Sequence, residues 1–184
     1  MTRRRAVFLD RDGVLNRAIV RDGKPYAPMT LAEFEIFPEA PAAMAKLKER
    51  RFLLVVVSNQ PEVKRGHTDR ATVESIDRAL MNALPLDEIF VCYHDDIDGC
   101  ECRKPRPGLL LQAAAKYSID LPASFLIGDR WRDIDAGAAA GCKTVLIDYG
   151  YRDKQPEHNP DVRVASLREA VDWILEQATS TPAP

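Results

Sequence analysis

The sequence predicts an α/β fold, a doubly wound parallel sheet with helices on both faces. Short apolar runs alternate with amphipathic helical patterns along most of the chain. The run from Phe52 to Val57 is apolar without alternation, as expected for a strand that helices cover on both faces. Polar residues follow several of the predicted strands, and ligands of open α/β sheets bind beyond the carboxyl ends of the strands. The predicted fold therefore places a candidate site at one edge of the sheet.

Length and composition limit the class of protein. A chain of 184 residues with 46% hydrophobic and 29% charged residues is typical of one globular domain, and we predict a domain over residues 1–178 and a disordered tail over 179–184. The formal net charge of -2 gives no general attraction to nucleic acid or to an anionic membrane. No apolar stretch is long enough for a membrane span, and none follows Arg3, Arg4 and Arg5 as a secretory signal would. These features predict a cytoplasmic protein without nucleic-acid or membrane partners.

The first predicted strand, Val7–Leu9, ends in two acids and a glycine. Because side chains alternate along a strand, Asp10 and Asp12 would leave it on the same side, and Gly13 would let the chain bend sharply. Close carboxylates repel each other unless a cation or a shared proton relieves them, so the pair suggests a hard metal ion such as Mg²⁺. The alternative is an acidic turn without chemistry, since so short a pattern also occurs often by chance.

The segment after this turn is irregular. Residues 16–37 are polar, carry glycine and prolines and show no sustained period, so we predict a loop or small β-flap that folds over the Asp10 site. A helical pattern over 38–51 begins at Pro38 and leads into the apolar strand over 52–57.

The middle of the chain predicts two further helices around a strand. Thr68 and Asp69 are typical capping residues for a helix that reaches about Leu84, and a strand is predicted over 89–91. The next helix, over 107–117, begins with proline, whose missing N–H does no harm in a first turn.

The last third of the chain predicts the remaining strands of the sheet. A strand over 124–127 leads into a helix that Gly141 would end as a left-handed cap. The last clear strand is predicted over 144–147, and an amphipathic helix over 166–177 closes the domain.

Polar residues at four predicted strand or helix ends would meet in one crevice. A nucleophilic carboxylate needs an acid neighbour, a metal that offsets charge, and hydroxyl, amide and ammonium donors for a phosphoryl group. Taken separately, these residues are explained as caps, turns or a surface lysine. Together they predict phosphoryl-transfer catalysis by the set Asp10, Asp12, Ser58, Asn59, Lys104, Asp129 and Asp133.

A second metal site is predicted from a compact group of cysteines and a histidine. Cys92, His94, Cys100 and Cys102 lie within eleven residues and supply two paired-ligand arms. Four protein ligands leave no open position for water, so the predicted Zn²⁺ is structural. The alternative is a set of free thiols on a surface loop with an incidental histidine.

These motifs resemble those of the haloacid dehalogenase superfamily of phosphotransferases. The resemblance covers about residues 6–150 and rests on Phe8–Asn16, Val57–Gln60, Cys102–Gly108 and Ile127–Arg130. More narrowly, the zinc loop and the Cys-Arg-Lys-Pro-x-Pro-Gly run are similar to those of the bacterial D-glycero-D-manno-heptose 1,7-bisphosphate 7-phosphatases and the related histidinol-phosphatases.

The resemblance implies a role for each matching catalytic residue. Asp10 would be the nucleophile that becomes an aspartyl phosphate, and Asp12 would protonate the leaving oxygen and then activate water. Ser58 and Lys104 would hold the phosphoryl oxygens.

The resemblance also implies a magnesium site. Its ligands would be the carboxylates of Asp10 and Asp129 and the main-chain oxygen of Asp12. Asp133 matches a second acid of the last motif and is either a supporting residue or a structural acid that faces its helix.

On the substrate side, the resemblance implies that Arg103 and Arg130 contact substrate and that Asn59 orders the site. Two features depart from the family pattern, namely Pro61-Glu62 after the Asn-Gln pair and a longer flap that carries Lys24. Both are expected to face the substrate and to bear on which sugar is accepted.

The predicted function is a Mg²⁺-dependent phosphatase that acts on a small phosphorylated metabolite, with a sugar bisphosphate as the leading substrate. Histidinol phosphate is the nearest alternative. A DNA 3′-phosphatase would need a basic groove, which the composition does not indicate. A binding module that has lost turnover is a fourth reading, against which the intact acids and lysine argue. Core elements already fill the intervals around Ser58, so we predict no cap domain.

Overall fold

In the computed structural model, residues 4–179 are described, and eight strands and five α-helices lie within them. The strands are β1 (Ala6–Leu9), β2 (Ile19–Arg21), β3 (Lys24–Tyr26), β4 (Leu53–Asn59), β5 (Glu88–Cys92), β6 (Phe125–Gly128), β7 (Lys143–Ile147) and β8 (Val162–Val164). The helices are α1 (Ala40–Glu49), α2 (Arg70–Ala83), α3 (Gly108–Tyr117), α4 (Trp131–Ala140) and α5 (Leu167–Thr179).

Six strands form one parallel sheet in the order β5-β4-β1-β6-β7-β8. The predicted doubly wound parallel sheet is therefore confirmed. Strand β1 lies inside the sheet between β4 and β6, so the turn after it begins where its two neighbours also end. This arrangement brings the polar residues that follow these three strands to one edge.

Helices cover both faces of the sheet. Side chains of β1 alternate between two apolar clusters: Val7 and Leu9 pack on the side of α1 and α5, while Ala6 and Phe8 pack on the side of α3. Burial of one such large apolar side chain contributes roughly 1.5–3 kcal/mol relative to exposure. The two clusters fix β1, and with it the position of the residues that follow.

Local signals place the helix ends close to the predicted positions. The Asp69 side chain accepts a hydrogen bond of 2.7 Å from Thr72 N and caps α2. Gly141 ends α4 in the left-handed region at φ +82°, where glycine is favoured.

One strand was not predicted. The predicted last clear strand, over 144–147, is followed by a further one, because β8 pairs in parallel with β7 through Val145 and Val162. A three-residue Val-Arg-Val segment is too short to show a period, and the neighbouring strand supplies its hydrogen-bonding partners. At the other boundary, α5 runs to Thr179, and the rest of the predicted tail, 180–184, lies outside the described residues, as does Arg3.

The intervals on either side of Ser58 contain few elements. Between Asp10 and Ser58 lie the antiparallel hairpin of β2 and β3 and helix α1, and between Ser58 and Lys104 lie α2 and β5. The hairpin agrees with the predicted flap. The absence of a cap domain stays a prediction, which the content of these intervals supports. Over residues 4–179, no helix has the length and apolar character needed to cross a membrane.

Candidate active site

A buried lysine lies at the centre of the site. Lys104 is 2% exposed, and its Nζ donates to Asp10 Oδ1 at 2.7 Å, to Asp133 Oδ1 at 2.6 Å and to Val57 O at 2.7 Å. Burial lowers the pKa of Lys104, but the two carboxylates more than offset this effect, so its pKa lies above the ordinary value. The ammonium is therefore charged and fixed in direction by three acceptors.

The main chain of Lys104 is fixed as well. Asn59 Nδ2 donates to Lys104 O at 3.0 Å, and Lys104 N donates to Asn59 Oδ1 at 3.1 Å. Asn59 also lines the cavity above Asp10, but its side-chain amide is engaged in these two bonds. In this structure the residue positions the lysine from the end of β4, as the predicted ordering role requires.

Three acids lie close together beside Lys104. Carboxylate oxygens of Asp10, Asp129 and Asp133 all lie within 4.8 Å of one another. Burial raises the pKa of Asp10 to about 7, although Lys104 opposes the shift. Burial, with Asp10 close by, also raises the pKa of Asp129 well above its ordinary value. The three carboxylates face one ammonium, that of Lys104, so the cluster favours a further cation.

The chemistry of Asp129 fits a bound cation. Both of its carboxylate oxygens are buried and lack a hydrogen-bond partner among residues 4–179. Gly13 makes room for them, because a Cβ at this position would lie 1.9 Å from Asp129 Oδ2 and the residue has φ +89°. Clustered carboxylate oxygens are the ligands that Mg²⁺ takes in proteins, so Asp10 and Asp129 fit the predicted magnesium site. The predicted contribution of the Asp12 main-chain oxygen stays a prediction.

Asp133 has a defined partner set. Its Oδ1 accepts from Lys104 Nζ, and its Oδ2 accepts from Arg130 N at 3.1 Å in the first turn of α4. Gly128 allows this approach, since a Cβ there would lie 2.1 Å from Asp133 Cβ. The two roles left open for Asp133 are thus both present, because the carboxylate caps its own helix and also holds the lysine.

Asp12 lies beside this cluster and is surrounded by donors. Asn16 Nδ2 donates to its Oδ1 at 2.9 Å, and Gln60 Nε2 donates to its Oδ2 at 2.8 Å. The Arg11 guanidinium donates to both oxygens. Asp12 lines the same cavity as Asp10, which is the geometry expected of an acid–base partner.

Ser58 lies behind the cavity wall rather than in its lining. It is 1% exposed, and its Oγ accepts from Gln60 Nε2 at 2.8 Å. Gln60 therefore links Ser58 to Asp12, a role that the sequence reasoning did not assign. The sequence feature that could have indicated this role is the position of Gln60 directly after Ser58 and Asn59 at the end of β4.

A cavity of about 220 Å³ opens above Asp10 and Lys104. The hairpin, the segment after Asn59 and the loop before Lys104 border it, so the expected position of the flap is confirmed. Both departures from the family pattern face the cavity, whose lining includes Lys24, Tyr26, Pro61, Glu62, Arg130 and Arg132.

The arginines of the cavity are held by carboxylates. Asp96 accepts from Arg103 Nε at 2.8 Å and from Arg132 at 3.0 and 3.1 Å. Arg130 Nε donates to Asp153 at 2.7 Å. Arg132 and Asp96 were not singled out from the sequence, because neither belongs to a recognisable motif. Lys24 lines the cavity and has no ion pair in the described part of the chain.

The four predicted zinc ligands lie together. The Cys102 Sγ atom lies 2.9 Å from Cys92 Sγ, 3.4 Å from Cys100 Sγ and 3.3 Å from His94 Nδ1. Cys92 Sγ lies 3.7 Å from Cys100 Sγ and 3.6 Å from His94 Nδ1. The 3.7 Å separation of Cys92 Sγ from Cys100 Sγ suits a tetrahedral ion with Zn–S bonds of about 2.3 Å, whereas the 2.9 Å separation of Cys92 Sγ from Cys102 Sγ is shorter than such an ion requires. Three sulfurs with one imidazole are a zinc-type donor set.

Comparison with known proteins agrees with this geometry. A family model described as HAD-hydrolase-like matches residues 101–170, which include the Lys104, Asp129 and Asp133 segments.

Two curated relatives share a name. D-glycero-beta-D-manno-heptose-1,7-bisphosphate 7-phosphatase of Bordetella bronchiseptica is 36% identical over 149 residues, with 78% of this chain and 80% of the relative covered. The protein of the same name from Escherichia coli K12 is 33% identical over 189 residues, with coverage of 96% and 91%.

A solved structure is similar over the same length. The crystal structure of D,D-heptose 1,7-bisphosphate phosphatase from B. bronchiseptica, complexed with magnesium and phosphate, has a TM-score of 0.79 and 32% sequence identity. The comparison covers 95% of this chain and 99% of that chain.

Proposed function

The chain belongs to the HAD-like hydrolases, in the family of the heptose-1,7-bisphosphate 7-phosphatases, and from this membership we propose that it hydrolyses the 7-phosphate of D-glycero-β-D-manno-heptose 1,7-bisphosphate. The products are heptose 1-phosphate and inorganic phosphate. One observation carries the proposal beyond membership: the 2.7 Å contact of Lys104 Nζ with Asp10 Oδ1, next to the orphaned oxygens of Asp129. A nucleophile, a fixed ammonium and a cation site are thereby available to one phosphoryl group.

In the first step, an Asp10 carboxylate oxygen attacks phosphorus while the bond to the leaving sugar oxygen breaks. Asp12 delivers a proton to that oxygen, so the sugar leaves as a neutral alcohol. Lys104 supports the phosphoryl oxygens through its charge. The Ser58 hydroxyl accepts a hydrogen bond from Gln60 and donates none within residues 4–179. Its own proton is therefore available for a hydrogen bond to a phosphoryl oxygen.

In the second step, water attacks the phosphorus of the aspartyl phosphate. Asp12, now a carboxylate, takes a proton from that water, and the bond between phosphorus and the Asp10 oxygen breaks. Inorganic phosphate leaves and both acids return to their starting states.

Magnesium would be held by the carboxylates of Asp10 and Asp129 and the main-chain oxygen of Asp12. When bound, it neutralises negative charge that phosphate and carboxylates share. Asp133 stays outside the reaction and holds Lys104.

The cavity lining favours a substrate with a second anionic group. Arg103 and Arg130 line it as substrate contacts, and Lys24 adds an exposed cation from the flap. A second phosphate would be attracted by the charge of Lys24, which is unpaired among residues 4–179, whereas the amine of histidinol phosphate would be repelled by it. A DNA end would require further phosphate contacts, which a net charge of -2 does not favour.

We assign a structural Zn²⁺ to the Cys92, His94, Cys100 and Cys102 cluster. The ion would fix the loop that carries Arg103 and Lys104 and would take no part in the reaction. The cytoplasmic location expected from the sequence stays a prediction.

The test is a panel of phosphate esters assayed with Mg²⁺ for phosphate release. We expect the heptose bisphosphate to give the highest kcat/KM and to yield the 1-phosphate. A higher kcat/KM for histidinol phosphate or for a DNA 3′-phosphate would replace the proposed substrate. Absence of turnover with every ester would favour a binding module.

A further inference from the structure

Arg11 separates the two acids of the first motif and is entirely buried, at 0% exposure. Its Nε and Nη2 donate to Asp12 Oδ1 and Oδ2, both at 3.1 Å, and its Nη1 donates to Asp77 Oδ1 at 2.8 Å. The guanidinium thus joins the acid–base residue to helix α2. Nothing in the proposed reaction uses Arg11 or Asp77.

The main chain of Arg11 is also fixed. Its carbonyl oxygen accepts from Leu15 N at 2.9 Å and from Asn16 N at 3.2 Å. Burial lowers the pKa of Arg11, but Asp12 and Asp77 more than offset this effect, so the buried guanidinium keeps its charge. An arginine held at both its main chain and its side chain cannot follow Asp12 if that side chain turns.

The planar guanidinium occupies one edge of the Asp12 carboxylate in a paired, fork-like contact. Asn16 and Gln60 each donate to one of its oxygens. These four bonds define the plane of a carboxylate that is 13% exposed and lines the cavity. The direction in which Asp12 presents its oxygen to a leaving group is therefore set mainly by groups that never meet the substrate.

We propose that Arg11, anchored by Asp77, is a positioning residue that aims the Asp12 carboxyl at the leaving oxygen during proton transfer. The inference rests on the proposed function, because it assigns the support of that reaction's acid–base step. Asp77 lies on α2, and its side chain is 14% exposed toward a groove separate from the catalytic cavity. A change at Asp77 therefore alters the orientation of the Asp12 carboxyl group without altering the lining of the cavity.

The test compares two leaving groups in the first step alone. A sugar phosphate needs a proton on its leaving oxygen, whereas p-nitrophenyl phosphate releases a stable phenolate and does not. Both substrates require Asp12 again in the second step, so steady-state rates would conceal the difference. The observable is therefore the single-turnover rate of leaving-group release, measured with enzyme in excess.

For Asp77→Asn we expect the single-turnover rate with the sugar phosphate to fall by at least about tenfold, since misplacement of about 1 Å can cost roughly 10²-fold. With p-nitrophenyl phosphate the rate of nitrophenolate release should change by less than about threefold, because acid catalysis contributes little to that step. Arg11→Lys, which keeps the charge but loses the paired contact, should show the same selectivity.

Asp87→Asn is the matched control. Asp87 forms a more exposed ion pair with Lys48 at 2.9 Å and accepts from Leu54 N at the start of β4, the end of that strand opposite to Asn59. Its variant should lower the melting temperature without changing the ratio of the two rates. Equal losses with both substrates in Asp77→Asn would show a structural role and overturn the inference, as would wild-type rates with both. If the wild-type enzyme releases neither leaving group, the proposed function itself fails.

Discussion

Lys104 Nζ and Asp133 Oδ1 lie 2.6 Å apart, and both side chains are 2% exposed. The same ammonium contacts Asp10 at 2.7 Å, so the pair with Asp133 fixes the position from which Lys104 meets the proposed nucleophile. Burial makes this contact costly to disturb, because removal of one partner leaves a buried charge. Lys104 is thus held by the first turn of the helix that follows Asp129.

Asp133→Asn tests this support. The amide keeps the shape but loses the charge, so Lys104 should shift toward Asp10 and kcat/KM should fall by about 10²-fold, as expected for a displaced catalytic group. The melting temperature should also fall, since a buried pair is broken. Asp135→Asn, two residues along α4, removes an acid that pairs with His158 and serves as the control. Unchanged kcat/KM in Asp133→Asn would contradict the role.

Lys24→Met tests the second anionic contact. The substitution keeps the aliphatic stem and removes the flap cation, so KM for the heptose bisphosphate should rise by about tenfold, which is the equivalent of roughly 1.4 kcal/mol. KM for a sugar monophosphate without the second phosphate should not change. Arg21→Met removes a cation from the same hairpin but outside the cavity lining, and neither KM should move. An equal rise in both KM values for Lys24→Met would exclude a contact with the second phosphate.

Cys100→Ser tests the zinc assignment. Loss of one thiolate should release Zn²⁺, lower the melting temperature and reduce kcat/KM, because Cys102 is followed directly by Arg103 and Lys104. Added Mg²⁺ should not restore activity, since the defect is one of position. Cys142→Ser, outside the cluster, is the control and should keep its zinc.

Elemental analysis of the purified protein precedes these kinetics. One equivalent of zinc is expected for a closed four-ligand site. Fewer than about half an equivalent of zinc in protein never exposed to chelator would contradict the assignment of a zinc site to the cysteine and histidine cluster.

Much of the site was predictable because topology alone assembles it. Parallel strands end at a common edge, so acids after β1 and β6 and the polar pair at the end of β4 were certain to approach each other once the strands were recognised. The placement of Lys104 in the site was predictable from its position in the Cys-Arg-Lys-Pro-x-Pro-Gly run. The spacing of Cys92 to Cys102 likewise predicted a cluster that the fold brings together.

Side-chain partners far apart in sequence were not predictable. Arg11 and Asp77 meet across 66 positions, and nothing in the period of α2 distinguishes an acid that faces a buried arginine from one that faces solvent. The pairing of Asp96 with Arg132 depends in the same way on how the loop over residues 93–101 lies against α4. Strand β8 was missed because its partners come from β7 rather than from its own three residues.

The most direct test of the proposed mechanism is acid-quenched mass spectrometry of the peptide that contains Asp10, taken during turnover of the heptose bisphosphate. We predict a phosphoryl adduct on Asp10 in the wild-type enzyme. In Asp10→Asn, which keeps the shape but lacks the nucleophile, we predict a folded protein with neither adduct nor turnover. An Asp10→Asn variant that releases phosphate at the wild-type rate would contradict the assignment of Asp10 as the nucleophile.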